Sequence, residues 1–142
     1  MQKLLFILLL SFLGNAANAQ KITDDLLIKN ILSKQTVAWN TGDLEKFMGG
    51  YWRNDSLMFI GKNGPTYGWE NTLKNYKKGY PDIEAMGKLD FTLIDVKRLS
   101  PEYYSVVGKW HLKRLVGDIG GTFTLLFKKI KRQWLIIQDH SS

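Results

Sequence analysis

Asp139 and His140 stand side by side, and a carboxylate beside an imidazole is a pairing that general acid–base chemistry uses. Neighbours on a regular strand point to opposite faces, so one of the two would line a pocket. The other would cap the sheet edge or serve a subunit contact. His111 lies between Lys109 and Lys113, a setting for an exposed or interface residue rather than a catalytic one. Gln35 sits within an apolar helical stripe, where a buried amide must find a partner; it is either a pocket group or a core hydrogen bond. Trp39, Tyr51, Tyr67, Trp69 and Tyr76 could line a pocket for an apolar or ring-shaped ligand, or be plain core. Asp43 and Asp55 read as helix-start and turn residues. The two histidines are far apart, cysteine is absent and no H-E-x-x-H occurs, so no metal site is expected. Nor is there a G-x-S-x-G, a P-loop or a G-x-G-x-x-G, and no cofactor is expected.

The elements that must position these groups come as helices first and strands later. Thr23 can cap a helix whose first turn holds Asp24 and Asp25 and whose apolar stripe is Ile28, Ile31, Leu32 and Trp39. Asn40-Thr41-Gly42 stops it, and Asp43 opens a shorter helix with Leu44, Phe47, Met48 and Tyr51 on one side. Leu57 to Ile60 reads as a strand and Gly61 to Pro65 as a turn. A third helix starts near Trp69, with Glu70 and Lys74 as an i,i+4 pair, and ends at Gly79 and Pro81. The remainder is sheet. Leu89, Phe91 and Leu93 alternate and then give way to Ile94 and Val96, which marks a β-bulge. Tyr104, Val106, Trp110 and Leu112 share a face, with Gly108 in register. Turns at Val116–Gly120 and Lys131-Arg132 complete an antiparallel meander. Helices on one face of such a sheet make an α+β domain. A strongly curved sheet around a long helix leaves a cone whose mouth could admit a ligand.

Met1-Gln2-Lys3, the apolar run Leu4 to Leu13 and the small residues Ala17-Asn18-Ala19 form a secretory pattern. Ten residues of apolar run are too few to span a bilayer as a helix. Residues 1–19 are therefore expected to be a cleavable export signal, and residues 20–142 a single domain, periplasmic or secreted. Without cysteine there is neither a lipid-modified residue after the signal nor a disulfide, so one core must hold the fold. The net charge is +7, with ten basic against four acidic residues between Lys88 and Arg132. These alternate with apolar residues as on a solvated sheet face, and export argues further against nucleic acid as a partner.

Trp39-Asn40-Thr41-Gly42-Asp43-Leu44, Tyr51 followed by Asp55, the stretch Gly64 to Gly68, and Trp134-Leu135-Ile136-Ile137-Gln138-Asp139-His140-Ser141 occur in an order that resembles the nuclear transport factor 2-like superfamily. Within it the chain looks most like the SnoaL-like proteins of domain-of-unknown-function family 4440, near the association domain of calmodulin-dependent kinase II. The resemblance implies a cone-shaped, cystatin-like α+β fold, with a curved antiparallel sheet wrapped around N-terminal helices. It also implies a pocket in the cone and a homodimer through the outer sheet face. Such folds host isomerases, cyclases, dehydratases and non-enzymatic scaffolds, so fold does not name function. Aligned on ketosteroid isomerase-like members, the oxyanion-stabilising tyrosine falls on Gln35 and the carboxylate base on Ile60, which cannot take a proton. The expected site is therefore Gln35, Trp39, Tyr51 and Tyr76 as ligand contacts, with Asp139 or His140 as the catalytic group. The alternative is a non-catalytic association module.

Overall fold

The computed structural model describes residues Thr23–Ser142; the export signal expected at residues 1–19 lies outside them. Among the described residues no helix is long and apolar enough to cross a membrane. The elements are α1 (Asp24–Asn40), α2 (Leu44–Met48), β1 (Met58–Gly61), β2 (Gly64–Tyr67), α3 (Trp69–Gly79), α4 (Ile83–Met86), β3 (Lys88–Ser100), β4 (Tyr103–Lys113), β5 (Ile119–Ile130) and β6 (Gln133–Ser141).

Helix α1 forms as its sequence directs. The Thr23 side chain accepts from the Leu26 amide, Asp24 and Asp25 sit at the positive helix end, and Ile28, Leu32, Gln35, Ala38 and Trp39 form the buried stripe. Its first turn is fastened to the sheet. Asp24 accepts from the Trp134 indole at 2.9 Å and from Lys129 at 3.1 Å, and Asp25 accepts from the Tyr104 hydroxyl. Its last turn is fastened too. The Asn40 amide donates to the Leu89 carbonyl at 3.1 Å and accepts from the Leu89 amide at 2.7 Å, while the Trp39 indole donates to the Met86 carbonyl. Gly42, at φ +78°, then reverses the chain, and Asp43 caps α2.

The six strands form one sheet in the order β2-β1-β6-β5-β4-β3. β3 to β6 are the expected antiparallel meander, and β1 adds one parallel pairing, with β6, to the mostly antiparallel sheet. The physical reason is the crossover. After the β1–β2 hairpin, α3 and α4 carry the chain from one sheet edge to the other before β3 begins. Gly64 and Pro65, read from sequence as the end of a turn, instead open an edge strand over Gly64–Tyr67, where Pro65 removes no ladder donor that the sheet needs. Helix α4 was also not expected; Asp82 caps it and Gly87 ends it. The β3 bulge falls where the alternation breaks, between Leu93 and Asp95, and leaves Ile94 exposed while Val96 turns inward.

The core lies between α1, α2, α3 and the concave sheet face, where Leu89, Tyr104, Val106, Leu112, Phe123, Leu125, Phe127, Trp134 and Ile136 are buried. The expected Glu70–Lys74 pair is replaced by Glu70–Arg53 at 2.8 Å, with the Arg53 guanidinium lying over the Trp69 ring. His111 meets Asp118 at 3.1 Å across the base of the β4–β5 hairpin, on the exposed side.

Candidate interior acid site

Strand β6 decides which of its two provocative residues enters the cone. Phe127 pairs with Ile136, but Leu126 pairs with Gln138, so Ile137 is an extra residue on β6. Strict alternation from Trp134 and Ile136 would turn His140 inward. The bulge reverses the phase, so Asp139 and Ser141 face the core and His140 is exposed on the outer face. The adjacent pair is thus separated by the sheet itself. Asp139 alone joins the interior, between its strand partners Leu125 on β5 and Phe59 on β1.

Asp139 is 3% exposed. Its Oδ2 accepts from the Tyr51 hydroxyl at 2.7 Å, and its Oδ1 accepts from the Ser141 hydroxyl at 2.7 Å. Burial pushes its carboxyl up to about 6; the hydroxyls of Ser141 and Tyr51 and the nearby His140 act in the opposite direction. Burial and the Asp139 charge together hold the Tyr51 and Tyr76 phenols well above their usual range. Both stay neutral donors wherever the carboxylate is ionised.

Aromatic rings gather near this acid, with Phe59 as its strand partner and Tyr76 close enough to feel its charge. Tyr76 packs edge-on against Phe47 at 5.3 Å, Phe59 at 5.6 Å and Trp39 at 5.9 Å, and stacks on Tyr80 at 6.3 Å. Trp39 and Phe47 are buried, while Phe59, Tyr76 and Tyr80 stay partly exposed. Phe91 and Trp110, on the same concave face, are also partly exposed. The Trp110 indole N–H is the one buried side-chain polar atom without a partner among the described residues.

Of the residues read from the sequence, Tyr51, Tyr76 and Asp139 come together. Gln35 is 2% exposed and donates to the Phe47 carbonyl at 3.2 Å, tying α1 to α2 against Gly50. Trp39 contributes ring surface to the cluster while its indole N–H holds Met86. Tyr67 is exposed, and Trp69 is buried with its N–H on the Met48 carbonyl. Ser141 was missed as a partner of Asp139; its i+2 spacing on the same strand was the available signal. Two grooves open elsewhere. One of about 710 Å³ is lined by Asp43, Glu45, Tyr80, Ile83 and neighbours, and one of about 570 Å³ by Lys46, Arg53, Trp69, Leu135 and neighbours, bordered by Tyr51. Asp139 lines neither.

No family model matches the chain. No curated protein matches it either. Among solved structures, an NTF2-like protein of unknown function from Shewanella oneidensis is 49% identical, over 84% of this chain and 97% of that one, with a TM-score of 0.79. The chain belongs to the NTF2-like family. More distant structures share the NTF2-like fold. A putative calcium/calmodulin dependent protein kinase II association domain from Xanthomonas campestris is 18% identical, covering 85% of this chain and 88% of that one at a TM-score of 0.64. A ketosteroid isomerase-like protein from Erwinia carotovora atroseptica is 14% identical, covering 85% and 97% at a TM-score of 0.64. Among the described residues of this NTF2-like domain, Asp139 supplies the only buried carboxyl. Ile60, where the ketosteroid isomerase-like alignment set a base, is the strand partner of outward-facing His140. The interior acid is therefore supplied by β6 rather than β1.

Proposed function

We propose that this NTF2-like domain binds a small ligand in its cone and that Asp139 is the group that acts on it. One observation carries the reading: a carboxyl that is almost wholly buried, held by two hydroxyls and paired with no cation among the described residues. Ionising such a group costs the fold stability, because the charge is desolvated without a counter-charge. Its protonation midpoint near 6 suits an acid–base role close to neutral pH, including isomerase-, dehydratase- or cyclase-like proton transfers. Tyr51 and Ser141 position the carboxyl, and a ligand would enter past the partly exposed rings of Phe59, Tyr76 and Tyr80. A thermal-shift screen of residues 20–142 against small carboxylates, sterols, polyketides and sugars, run beside Asp139→Asn and Tyr51→Phe, tests it. A hit that weakens in Asp139→Asn supports the site; hits indifferent to both substitutions would sink it.

The second reading, an association module, draws on the outer sheet face. There Val107 on β4, Leu126 on β5 and Met58 on β1 lie part-buried among the polar residues, a surface suited to a second copy of the chain. On either reading residues 1–19 are removed on export and the domain works in the envelope; a mature amino terminus found elsewhere than Gln20 counts against that export.

A further inference from the structure

We infer that the ligand of the cone is an organic cation: a protonated amine or quaternary ammonium carried next to a ring. This rests on the reading of Asp139 as a ligand group and names the class of ligand. The charge pattern of the molecule points to it. Among the described residues, the five carboxylates with a basic partner all lie at solvent-accessible positions: Asp24 with Lys129, Asp43 with Lys46, Glu45 with Lys77, Glu70 with Arg53, and Asp118 with His111. Asp139, the buried carboxylate, has no such partner among them. The chain holds twenty lysines and arginines, yet none of those described is buried. An ionised Asp139 therefore lacks the one thing that makes a buried charge tolerable, a counter-charge inside. A ligand cation would provide it.

The walls suit the same guest. Phe59 flanks Asp139 on the neighbouring strand, Tyr76 packs edge-on against Phe59, and Trp39, Phe47 and Tyr80 close around Tyr76. Ring faces attract ammonium groups, and the attraction grows when water is excluded. The Tyr51 and Tyr76 oxygens carry lone pairs that can accept N–H bonds from an ammonium. An anionic ligand meets only like charge here, and a neutral carbonyl ligand needs Asp139 protonated to donate to it.

Three probes of one size separate these cases: benzylamine, benzyl alcohol and phenylacetate, measured by calorimetry at pH 8 and pH 4.5 with the unaltered chain and with Asp139→Asn. Benzylamine stays protonated at both pH values. It is expected to bind at least ~10-fold more tightly than benzyl alcohol at pH 8, and to lose that preference at pH 4.5 and in Asp139→Asn. A benzylamine preference that survives in Asp139→Asn overturns the inference, because the cation is then held elsewhere. Benzyl alcohol or phenylacetate gaining on acidification also overturns it, while leaving Asp139 as a ligand group and the proposed site intact. No binding by any probe, with the Asp139 carboxyl signal in carbon-13 NMR unmoved, overturns both.

Discussion

Ionising Asp139 within the folded protein is uphill, and this fixes the sign of its effect on stability. Its folded midpoint of about 6 lies above the ordinary carboxylate value of 3.8. The favourable contribution is therefore complete below the ordinary value and lost as pH rises through about 6. A tenfold change in an acid's ionisation constant corresponds to about 1.4 kcal/mol, which makes the loss on the order of 2–3 kcal/mol above neutral pH. Asp139→Asn, which keeps the shape and removes the charge, is expected to melt higher than the unaltered chain at pH 8 and at the same temperature near pH 4. Calorimetric scans across pH 4–8 check this, and equal melting at pH 8 would falsify the account of a desolvated, unpaired carboxylate. Tyr51→Phe removes a hydrogen bond that favours the ionised form, so the Asp139 midpoint in carbon-13 NMR should move upward from about 6. A stabilising Asp139→Asn that also abolishes ligand binding would be the signature of stability exchanged for function.

At the scale of elements, the stretch Trp39 to Leu44, which carried much of the family resemblance, is a joint rather than a catalytic motif. Asn40 completes the β3 backbone like an extra strand residue, and Asn40→Ala leaves both Leu89 groups without their partner. A loss of about 1–3 kcal/mol is expected in urea unfolding, with the slope unchanged. Gly87, at φ +62°, meets the Lys113 carbonyl and the Arg114 side chain so closely that a Cβ has no room, so Gly87→Ala should be destabilised as well. Helices α1 to α3, the four long strands and the β3 bulge were legible because periodicity, caps and broken alternation leave marks on the residues themselves; the single turn of α4 was too short to leave one. The β6 bulge left none: Ile136 and Ile137 are both apolar, so the shift from inward to extra residue does not change the pattern. That silence hid which of Asp139 and His140 enters the cone. Edge strand β2 was hidden by Gly64 and Pro65, which read as a turn. The Glu70–Arg53 pair was hidden because local spacing cannot see a partner 17 residues away.

For the whole molecule, the association reading takes the outer face of the sheet as the surface a second copy would cover. Val107 lies on it between Asp95 of β3 and Thr124 of β5, in the row that continues to His140 and Ile60. Sedimentation of residues 20–142 is expected to give a dimer, and Val107→Glu a monomer with unchanged circular dichroism; a monomer before substitution removes the association reading. The strand order has a different consequence, in time rather than in space. β6, synthesised after every other strand, occupies an interior position between β1 and β5, and its pairing with β1 joins residues 80 positions apart, Met58 with Gln138. Closing so long a loop comes before any reward from the contacts it permits, which slows folding. Until β6 leaves the ribosome, the β1–β2 hairpin and the β3–β5 ribbon have no strand to join them and the carboxyl of the proposed site is not yet in place. A nascent chain halted before Gln133 should therefore remain protease-sensitive along its length and open to any factor that acts on unfolded chains, and the cone should assemble only once β6 has emerged.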